Sequence, residues 1–137
     1  MNLVSVRIIT ENVAQLAQFY EAVTGLTATH YTEDFAEFKT ATATLAIGNT
    51  RTLQLFGGSE VAQAAQNRTA IIEFMVNDVD AVYQSQQGLI DNTIIQKPTT
   101  MPWGNRSLLF RDPDGNLVNF FTPATAEAIA KFSTNPE

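Results

Sequence analysis

The chain has 137 residues, a net charge of −6, an apolar share of 45% and no cysteine. This length supports one domain with its own core, or two small modules that share one, and the missing cysteines exclude disulfides, thiolate metal sites and a cysteine nucleophile. The acidic balance argues against binding to nucleic acid or to an anionic membrane surface. With no apolar run long enough to cross a membrane and no secretory signal, we expect a cytoplasmic protein.

The first half of the chain predicts a strand, a helix and three further strands. Leu3 to Ile9 alternates as a strand. Asn12 is a candidate N-cap for an amphipathic helix, and Gly25 is placed to end it. The remaining strands are predicted at Thr27 to Tyr31, at Phe35 to about Ile47 with the boundary near Ala41 left open, and at Arg51 to Phe56, with a turn at Gly48-Asn49 before the last.

The second half begins with the same order of elements. Ala70 to Val76 predicts a strand, and Asp78 is the candidate N-cap of a helix that Gly88 closes. The elements that follow are a short strand at Ile94-Ile95, a loop from Lys97 to Gly104, a hairpin from Ser107 to Phe121 around the Asp112-Pro113-Asp114-Gly115 turn, and a terminal helix from Ala126 to Phe132.

Two pairs of segments repeat at nearly one offset. Ser5 and its helix cap correspond to Ile71 and its cap at an offset of 66 residues (71 − 5), and Gln54 corresponds to Asn119 at 65 (119 − 54). The repeat predicts two βαβββ modules in one α+β domain spanning residues 1–137. We place module one at about 1–58, module two at about 69–123 and a tail at 124–137.

Three segments carry a family resemblance: FYEAVTGL, IIEFMVNDVDAV and WGNRSLLFRDPDGNLVNFF. They resemble the glyoxalase/bleomycin-resistance/dioxygenase superfamily, also called vicinal oxygen chelate proteins. The resemblance covers roughly residues 1–122, and the third segment is its most specific part. It implies two modules related by a pseudo-twofold axis, curved mixed sheets that enclose a cavity, and a homodimer.

The resemblance also implies where a metal ion would be held, on the first and last strands of each module. The corresponding positions are Ser5, Gln54, Ile71 and Asn119. Ala46 replaces Gln54 if the alignment shifts, and the only histidine, His30, lies on a different strand. Because this set has no histidine and no carboxylate, we predict that no metal and no other cofactor is used. The prediction argues against glyoxalase I, extradiol dioxygenase and fosfomycin-thiol transferase chemistry.

Strand alternation separates two faces. The residues expected under the helices are Val6, Ile8, Leu53, Leu55, Ile72, Phe74, Val118 and Phe120. The opposite, concave face mixes apolar walls with polar groups, as small-molecule pockets do. From that face and the preceding loop we select, as ligand-binding candidates, Arg7, Gln54, Phe56, Glu73, Met75, Trp103, Arg106, Asn119 and Phe121.

Arg7 and Glu73 occupy equivalent positions in the two modules. One interpretation is a structural ion pair between the sheets. The other is a pair that anchors a ligand, with Glu73 as a general base if the protein is an enzyme. Both residues are therefore candidates for catalysis as well as for binding.

Trp103 and Arg106 precede the hairpin. Trp103 either packs on the edge of the sheet or forms a stacking wall at the mouth of the cavity, because an indole offers a flat face to planar ligands and cations. His30, together with Tyr31, Phe35 and Phe38, lies on the strands that form the rim in this family. Asp112 and Asp114 belong to the turn.

Three functions remain open. The first is a metal-independent homodimer that holds a small aromatic or cationic molecule, similar to the drug-sequestering bleomycin-binding proteins. The second is an enzyme of the same superfamily, a lyase, isomerase or dioxygenase-like protein, using Glu73, Arg7 or His30. The third is a sensor or subunit that binds a ligand for another protein. The first is favoured because no proton-transfer set is evident.

Overall fold

The computed structural model describes residues 1–133, which form two compact units. Unit one contains Met1–Asn67 and Pro113–Gly115, and unit two contains Arg68–Asp112 and the chain from Asn116 onward. Residues 134–137 of the predicted tail lie outside the described part. No helix among the described residues combines the length and the apolar character needed to cross a membrane.

Unit one is a four-stranded mixed sheet with one helix on it. Its elements are β1 (Ser5–Thr10), α1 (Val13–Thr24), β2 (Thr29–Thr32), β3 (Phe35–Lys39), β4 (Thr44–Asn49) and a 3-10 helix (Thr50–Leu55). The strand order is β1-β4-β3-β2. β1 runs parallel to β4, and the other two pairs are antiparallel.

Unit two repeats this topology. Its elements are β5 (Ile71–Met75), α2 (Val79–Ile90), a 3-10 turn (Asp91–Thr93), β6 (Ile94–Thr100), β7 (Asn105–Arg111), β8 (Leu117–Pro123) and α3 (Ala126–Ser133). The strand order β5-β8-β7-β6, with β5 parallel to β8, matches that of unit one strand for strand. The predicted pair of βαβββ modules and the α+β class are confirmed.

The helix ends lie where local side-chain signals placed them. The Asn12 side chain accepts a hydrogen bond from Gln15 N at 3.0 Å, and Asp78 accepts one from Ala81 N at 3.1 Å. Gly25 has φ of 74° and donates its N–H to Glu21 O, so it ends α1 in the left-handed conformation that glycine adopts without strain.

Each unit buries one face of its sheet under its helix. In unit one the Tyr20 ring of α1 is buried 6.1 Å from the Phe38 ring of β3. In unit two Phe120 is the centre of an aromatic cluster, with ring centroids 5.5 Å from Phe74 and 5.0 Å from Phe110. Burying each such side chain contributes about 1.5–3 kcal/mol, so these clusters fix the helix-covered faces and leave the opposite faces for other roles.

The predicted strand from Arg51 to Phe56 is wrong, as is the turn at Gly48-Asn49. Both turn residues belong to β4, and a 3-10 helix follows. The physical reason is Asn49, whose buried side chain accepts from Arg51 N at 2.8 Å and donates to Glu11 O at 3.2 Å. These bonds turn the backbone out of the sheet and override the β propensity of the segment.

Two boundaries in unit two also differ from the prediction. Gly88 does not close α2, which continues to Ile90, because Ile90 is buried and its packing outweighs the low helix propensity of one glycine. The predicted loop from Lys97 to Gly104 is strand as far as Thr100. The pairing of β6 with β7 shifts register between Gln96 and Thr99, and Pro98, which cannot donate to the ladder, lies at this irregularity.

Two residues predicted under the helices are not core residues. Leu55 is 100% exposed because it lies on the 3-10 helix instead of a strand. Val6 is 52% exposed because β1 is an edge strand of its sheet. Val118 and Phe120, on the central strand β8, are fully buried as predicted.

Candidate functional site

The strand register identifies equivalent positions on the helix-free faces. Arg7 is the parallel neighbour of Ala46 in unit one, and Glu73 is the parallel neighbour of Asn119 in unit two. Ala46, and not Gln54, therefore corresponds to Asn119. Gln54 is an exposed residue of the 3-10 helix, so its predicted place on a last strand is wrong.

The corrected family positions do not fit a metal ion. They are Ser5, Ala46, Ile71 and Asn119. Ala46 and Ile71 have only hydrocarbon side chains, and the amide nitrogen of Asn119 is hydrogen-bonded to the Glu73 carboxylate. The remaining candidate ligands are the Ser5 hydroxyl and the Asn119 amide oxygen, whereas metal sites of this kind use imidazoles or carboxylates. Among the described residues, no group of three or more histidine, aspartate or glutamate side chains is arranged to hold a metal.

Glu73 and Asn119 form the polar centre of the helix-free face in unit two. Asn119 Nδ2 donates to Glu73 Oε2 at 2.9 Å. Because a carboxylate only accepts, this bond fixes the orientation of the amide. Asn119 is only 9% exposed, and its Oδ1 has no hydrogen-bond partner among the described residues. The exposed Glu73 carboxylate therefore lies beside a buried acceptor that needs a donor.

Met75 and Phe121 extend this face toward the C-terminal helix. The Phe121 ring is buried 5.2 Å from the Phe132 ring of α3, so α3 covers this end of the face. A shallow cleft of about 240 Å³ runs beside it. Its lining residues are Met75, Val76, Asn77, Thr122, Pro123, Ile129, Phe132 and Ser133. Met75 therefore lines a cleft, whereas Phe121 is buried and does not line it.

Trp103 lies at the tip of the turn between β6 and β7 and is 68% exposed. Gly104, at φ of 97°, packs so closely on Thr125 that an added Cβ would lie 2.2 Å from Thr125 Oγ1. Gly104 O also accepts from the N–H groups of Ala124 and Thr125. The turn is thereby fixed to the start of α3. A cleft of about 300 Å³ is lined there by Pro102, Trp103, Thr125, Ala126 and Glu127, and stacking by Trp103 remains a prediction.

Arg106 is engaged within unit two. Its Nε lies 2.8 Å from Asp80 Oδ2 and its Nη2 lies 3.0 Å from Asp80 Oδ1, a bidentate pair that ties β7 to the first turn of α2. The hydrogen bonds from Arg106 hold the pKa of the Asp80 carboxyl below its ordinary value. The sequence interpretation missed Asp80, although an acidic residue in a first helical turn is a recognisable signal. A ligand-binding role of Arg106 stays a prediction.

Arg7 and Phe56 meet on the helix-free face of unit one. The guanidinium carbon of Arg7 lies 4.9 Å from the Phe35 ring centroid and 5.1 Å from that of Phe56. Within their own units, therefore, Arg7 contacts two aromatic rings and Glu73 bonds to Asn119. The proposed pairing of Arg7 with Glu73 stays a prediction, as do their catalytic roles.

Two further residues considered in the sequence analysis are Asp112, which lies in a turn, and His30, which lies on an edge strand. Asp112 accepts from both the backbone and the side-chain nitrogen of Asn116, at 2.9 and 2.8 Å, which stabilises the β7–β8 turn. His30 is exposed on the edge strand β2. A functional role for His30 stays a prediction.

Comparison with known proteins agrees with this architecture. Among solved structures, a glyoxalase/bleomycin resistance protein/dioxygenase from Nocardioides is 19% identical with a TM-score of 0.74, covering 92% of this chain and 85% of that chain. A glyoxalase/bleomycin resistance protein/dioxygenase family enzyme from Burkholderia phytofirmans PsJN is 16% identical with a TM-score of 0.77, covering 90% and 99%. A protein of unknown function from Agrobacterium tumefaciens str. C58 is 25% identical with a TM-score of 0.75, covering 89% and 94%.

No curated protein gives a match to the chain. The likeness to the Nocardioides and Burkholderia structures concerns the fold alone. A family model, in contrast, matches residues 2–120 and is described as the Glyoxalase/Bleomycin resistance protein/Dioxygenase superfamily. The match spans most of the sequence and agrees with the resemblance carried by the hairpin segment. The chain belongs to the glyoxalase/bleomycin resistance protein/dioxygenase superfamily.

Proposed function

We propose that this protein binds a small aromatic or cationic organic molecule without a metal ion, as a cytoplasmic homodimer. The observation that carries the proposal is the Asn119 amide oxygen, which is buried and lacks a hydrogen-bond partner among the described residues. Leaving a buried acceptor unsatisfied costs about 1–3 kcal/mol. A ligand that donates an N–H to this oxygen would remove that cost.

The neighbouring groups favour a positively charged donor. Glu73 is exposed beside Asn119, and only its Oε2 is bonded to the Asn119 amide, so a ligand cation would meet a carboxylate and an amide oxygen together. Ile71 and Met75 lie on the same face and are exposed, which provides apolar contact for the ligand body. The net charge of −6 adds a favourable long-range field.

Within this superfamily, the proposed role is closest to drug sequestration, in which binding alone protects the cell. A lyase or isomerase that uses Glu73 as a base is the alternative. The Glu73 carboxylate is exposed and hydrogen-bonded to Asn119 through Oε2, and a carboxylate within hydrogen-bond reach of a substrate can take up its proton. Glu73→Gln separates the two: it would abolish turnover of an identified substrate in an enzyme, and it would only weaken binding in a sequestering protein.

The first test is a thermal-shift screen of the purified chain together with measurement of its metal content. We expect no stoichiometric metal, no shift with divalent metals, and a rise in melting temperature with planar aromatic cations such as acriflavine and ethidium, or with bleomycin. Stoichiometric metal, or shifts with metals alone, would contradict the proposal.

The second test assigns binding to Asn119. Asn119→Leu removes the acceptor and is expected to abolish the ligand-induced shift. It should leave the melting temperature of the free protein unchanged or higher, since the unsatisfied group is gone. Gln84→Leu, the same kind of change at an exposed position of α2, serves as the control and should retain the shift. Retained binding in Asn119→Leu would move the site elsewhere.

A further inference from the structure

Arg7 follows a defined path across the helix-free face of unit one. Its stem crosses Gly48 on β4: a Cβ added to Gly48 would lie 3.5 Å from Arg7 Cδ and 3.7 Å from Ile9 Cδ1. Its guanidinium then lies over the rings of Phe35 and Phe56, with its carbon 4.9 and 5.1 Å from their centroids. The stem thus packs over Gly48, and two aromatic rings contact the guanidinium. We name Arg7, Phe35, Gly48 and Phe56 the Arg7 cluster.

The rings hold the cation without using its hydrogen-bond donors. An aromatic face attracts a guanidinium electrostatically, but the N–H groups need oxygen acceptors. No hydrogen bond or ion pair joins Arg7 to another described residue of unit one. Glu37 lies on the same face, two strands away, and its Oε1 is 3.9 Å from Lys39 Nζ instead. The Arg7 cluster therefore presents an oriented cation without a counter-ion in its unit.

The surroundings of the guanidinium suit an aromatic ligand. Phe56 is 63% exposed, so most of its ring surface is open to contact. The Tyr31 ring lies 5.9 Å from the Phe35 ring and extends the aromatic surface. Lys39 Nζ lies 5.7 Å from the Tyr31 centroid, but its charge is paired with Glu37. The guanidinium of Arg7 is therefore the cation beside this aromatic surface, and the two together complement a planar body that carries a negative charge.

We propose that the Arg7 cluster binds the carboxylate of a small aromatic acid. The planar fork of the guanidinium pairs with the two carboxylate oxygens, and Phe56 contacts the aromatic ring of the ligand. The site consists of unit-one residues alone, so it does not depend on the function proposed for Glu73 and Asn119. Because the net charge of −6 opposes anions in general, binding must depend on these local donors.

Calorimetric titration of the full chain with benzoate, benzamide and inorganic phosphate tests the ligand class. Benzoate should bind about tenfold more tightly than benzamide, its uncharged analogue, because benzamide lacks the charge-assisted hydrogen bonds. It should also bind more tightly than phosphate, which has no ring. Equal affinity for benzoate and benzamide, equal affinity for phosphate, or no saturable benzoate binding would each overturn the proposal.

Variants test the site itself. Arg7→Met keeps the apolar stem and is expected to weaken benzoate binding about tenfold or more, whereas Arg68→Met, at an exposed arginine of unit two, should change it by no more than about twofold. If Arg7→Met does not fold, Arg7→Lys replaces it: it keeps the charge, loses the planar fork, and should still weaken binding. Wild-type affinity in the folded Arg7 variant would overturn the proposal.

Discussion

At the scale of single residues, two buried asparagines show opposite uses of the same side chain. Asn49 has its oxygen and nitrogen satisfied by Arg51 N and Glu11 O, so it organises the backbone. Asn119 has its nitrogen satisfied and its oxygen without a partner among the described residues, and we propose that a ligand supplies the missing donor. The hydrogen bonds that each side chain makes, more than its burial, separate the structural residue from the proposed ligand-binding residue.

The structural role of Asn49 is testable. Asn49→Ala should lower the free energy of unfolding by about 1–2 kcal/mol, since it removes a side-chain cap and the donor to the Glu11 carbonyl. Urea denaturation measures the change. Asn92→Ala, at an exposed position of the 3-10 turn after α2, is the control and should have little effect. An Asn49→Ala midpoint equal to that of the wild type would show that the 3-10 helix does not need this cap.

At the scale of elements, α2 contains a glycine that the helix does not require. Gly88 lies within α2 and has no positive φ, and a Cβ added there would meet nothing within 4 Å. Gly88→Ala should therefore raise the free energy of unfolding by about 0.5–1 kcal/mol, measured by urea denaturation.

Gly25→Ala is the matched control for this change. Space is equally open at Gly25, but its φ of 74° is strained for alanine, so this variant should be destabilised. Stabilisation by both substitutions, or by neither, would contradict the assigned ends of α1 and α2.

The attachment of α2 to β7 should depend on pH. The pKa of Asp80 is lowered by its hydrogen bonds with Arg106, so the pair stabilises the fold fully above the ordinary aspartate pKa of about 4. This contribution is lost as the pH falls through the lowered pKa of the folded state. Wild type should thus be more stable than Asp80→Asn at pH 7, and the difference between their urea midpoints should shrink by pH 3. A difference independent of pH would contradict the role of this pair.

At the scale of the whole molecule, the exposed apolar edge of unit one bears on the proposed homodimer. β1 is an edge strand of its sheet. Leu3, Val4 and Val6 are exposed on it or just before it. Apolar edge strands of this kind associate unless they are covered, which supports assembly of two chains.

Light scattering after size exclusion tests the assembly. The wild type should have about twice the chain mass of 15.0 kDa. Val6→Lys places a charge on the β1 edge and should shift the protein toward monomer. Thr29→Lys, on the opposite edge strand β2, should leave the mass unchanged. A monomeric wild type would refute the dimer, and a dimeric Val6→Lys would place the interface elsewhere.

Local signals account for the parts of the architecture that were predictable. The caps at Asn12, Gly25 and Asp78 depend on residues within four positions of one another, so spacing along the chain is sufficient to recognise them. The hairpin around Asp112 and Asn116 is equally local. The repeat of these signals indicated two βαβββ modules and the superfamily.

Longer-range contacts account for what was missed. The 3-10 helix depends on Asn49 reaching back to Glu11, and the end of α2 depends on the burial of Ile90. The sequence did not decide whether Ala46 or Gln54 lies beside Arg7. Gln54 was preferred because it lies in an alternating segment that is typical of a strand. The register of β1 against β4 is set by contacts between strands that are far apart in the sequence.

The sequence by itself determined the element order outside the segment from residue 40 to residue 56, the duplication, the superfamily and the lack of histidine and carboxylate at the family's metal positions, since each depends on residue type or short spacing. Only the tertiary structure decided which side chains meet. It placed the unsatisfied oxygen of Asn119 beside Glu73 and laid Arg7 over Gly48 between two rings. Such contacts depend on pairing between strands that are far apart in sequence. A local sequence pattern therefore cannot show that a buried oxygen lacks a hydrogen-bond partner.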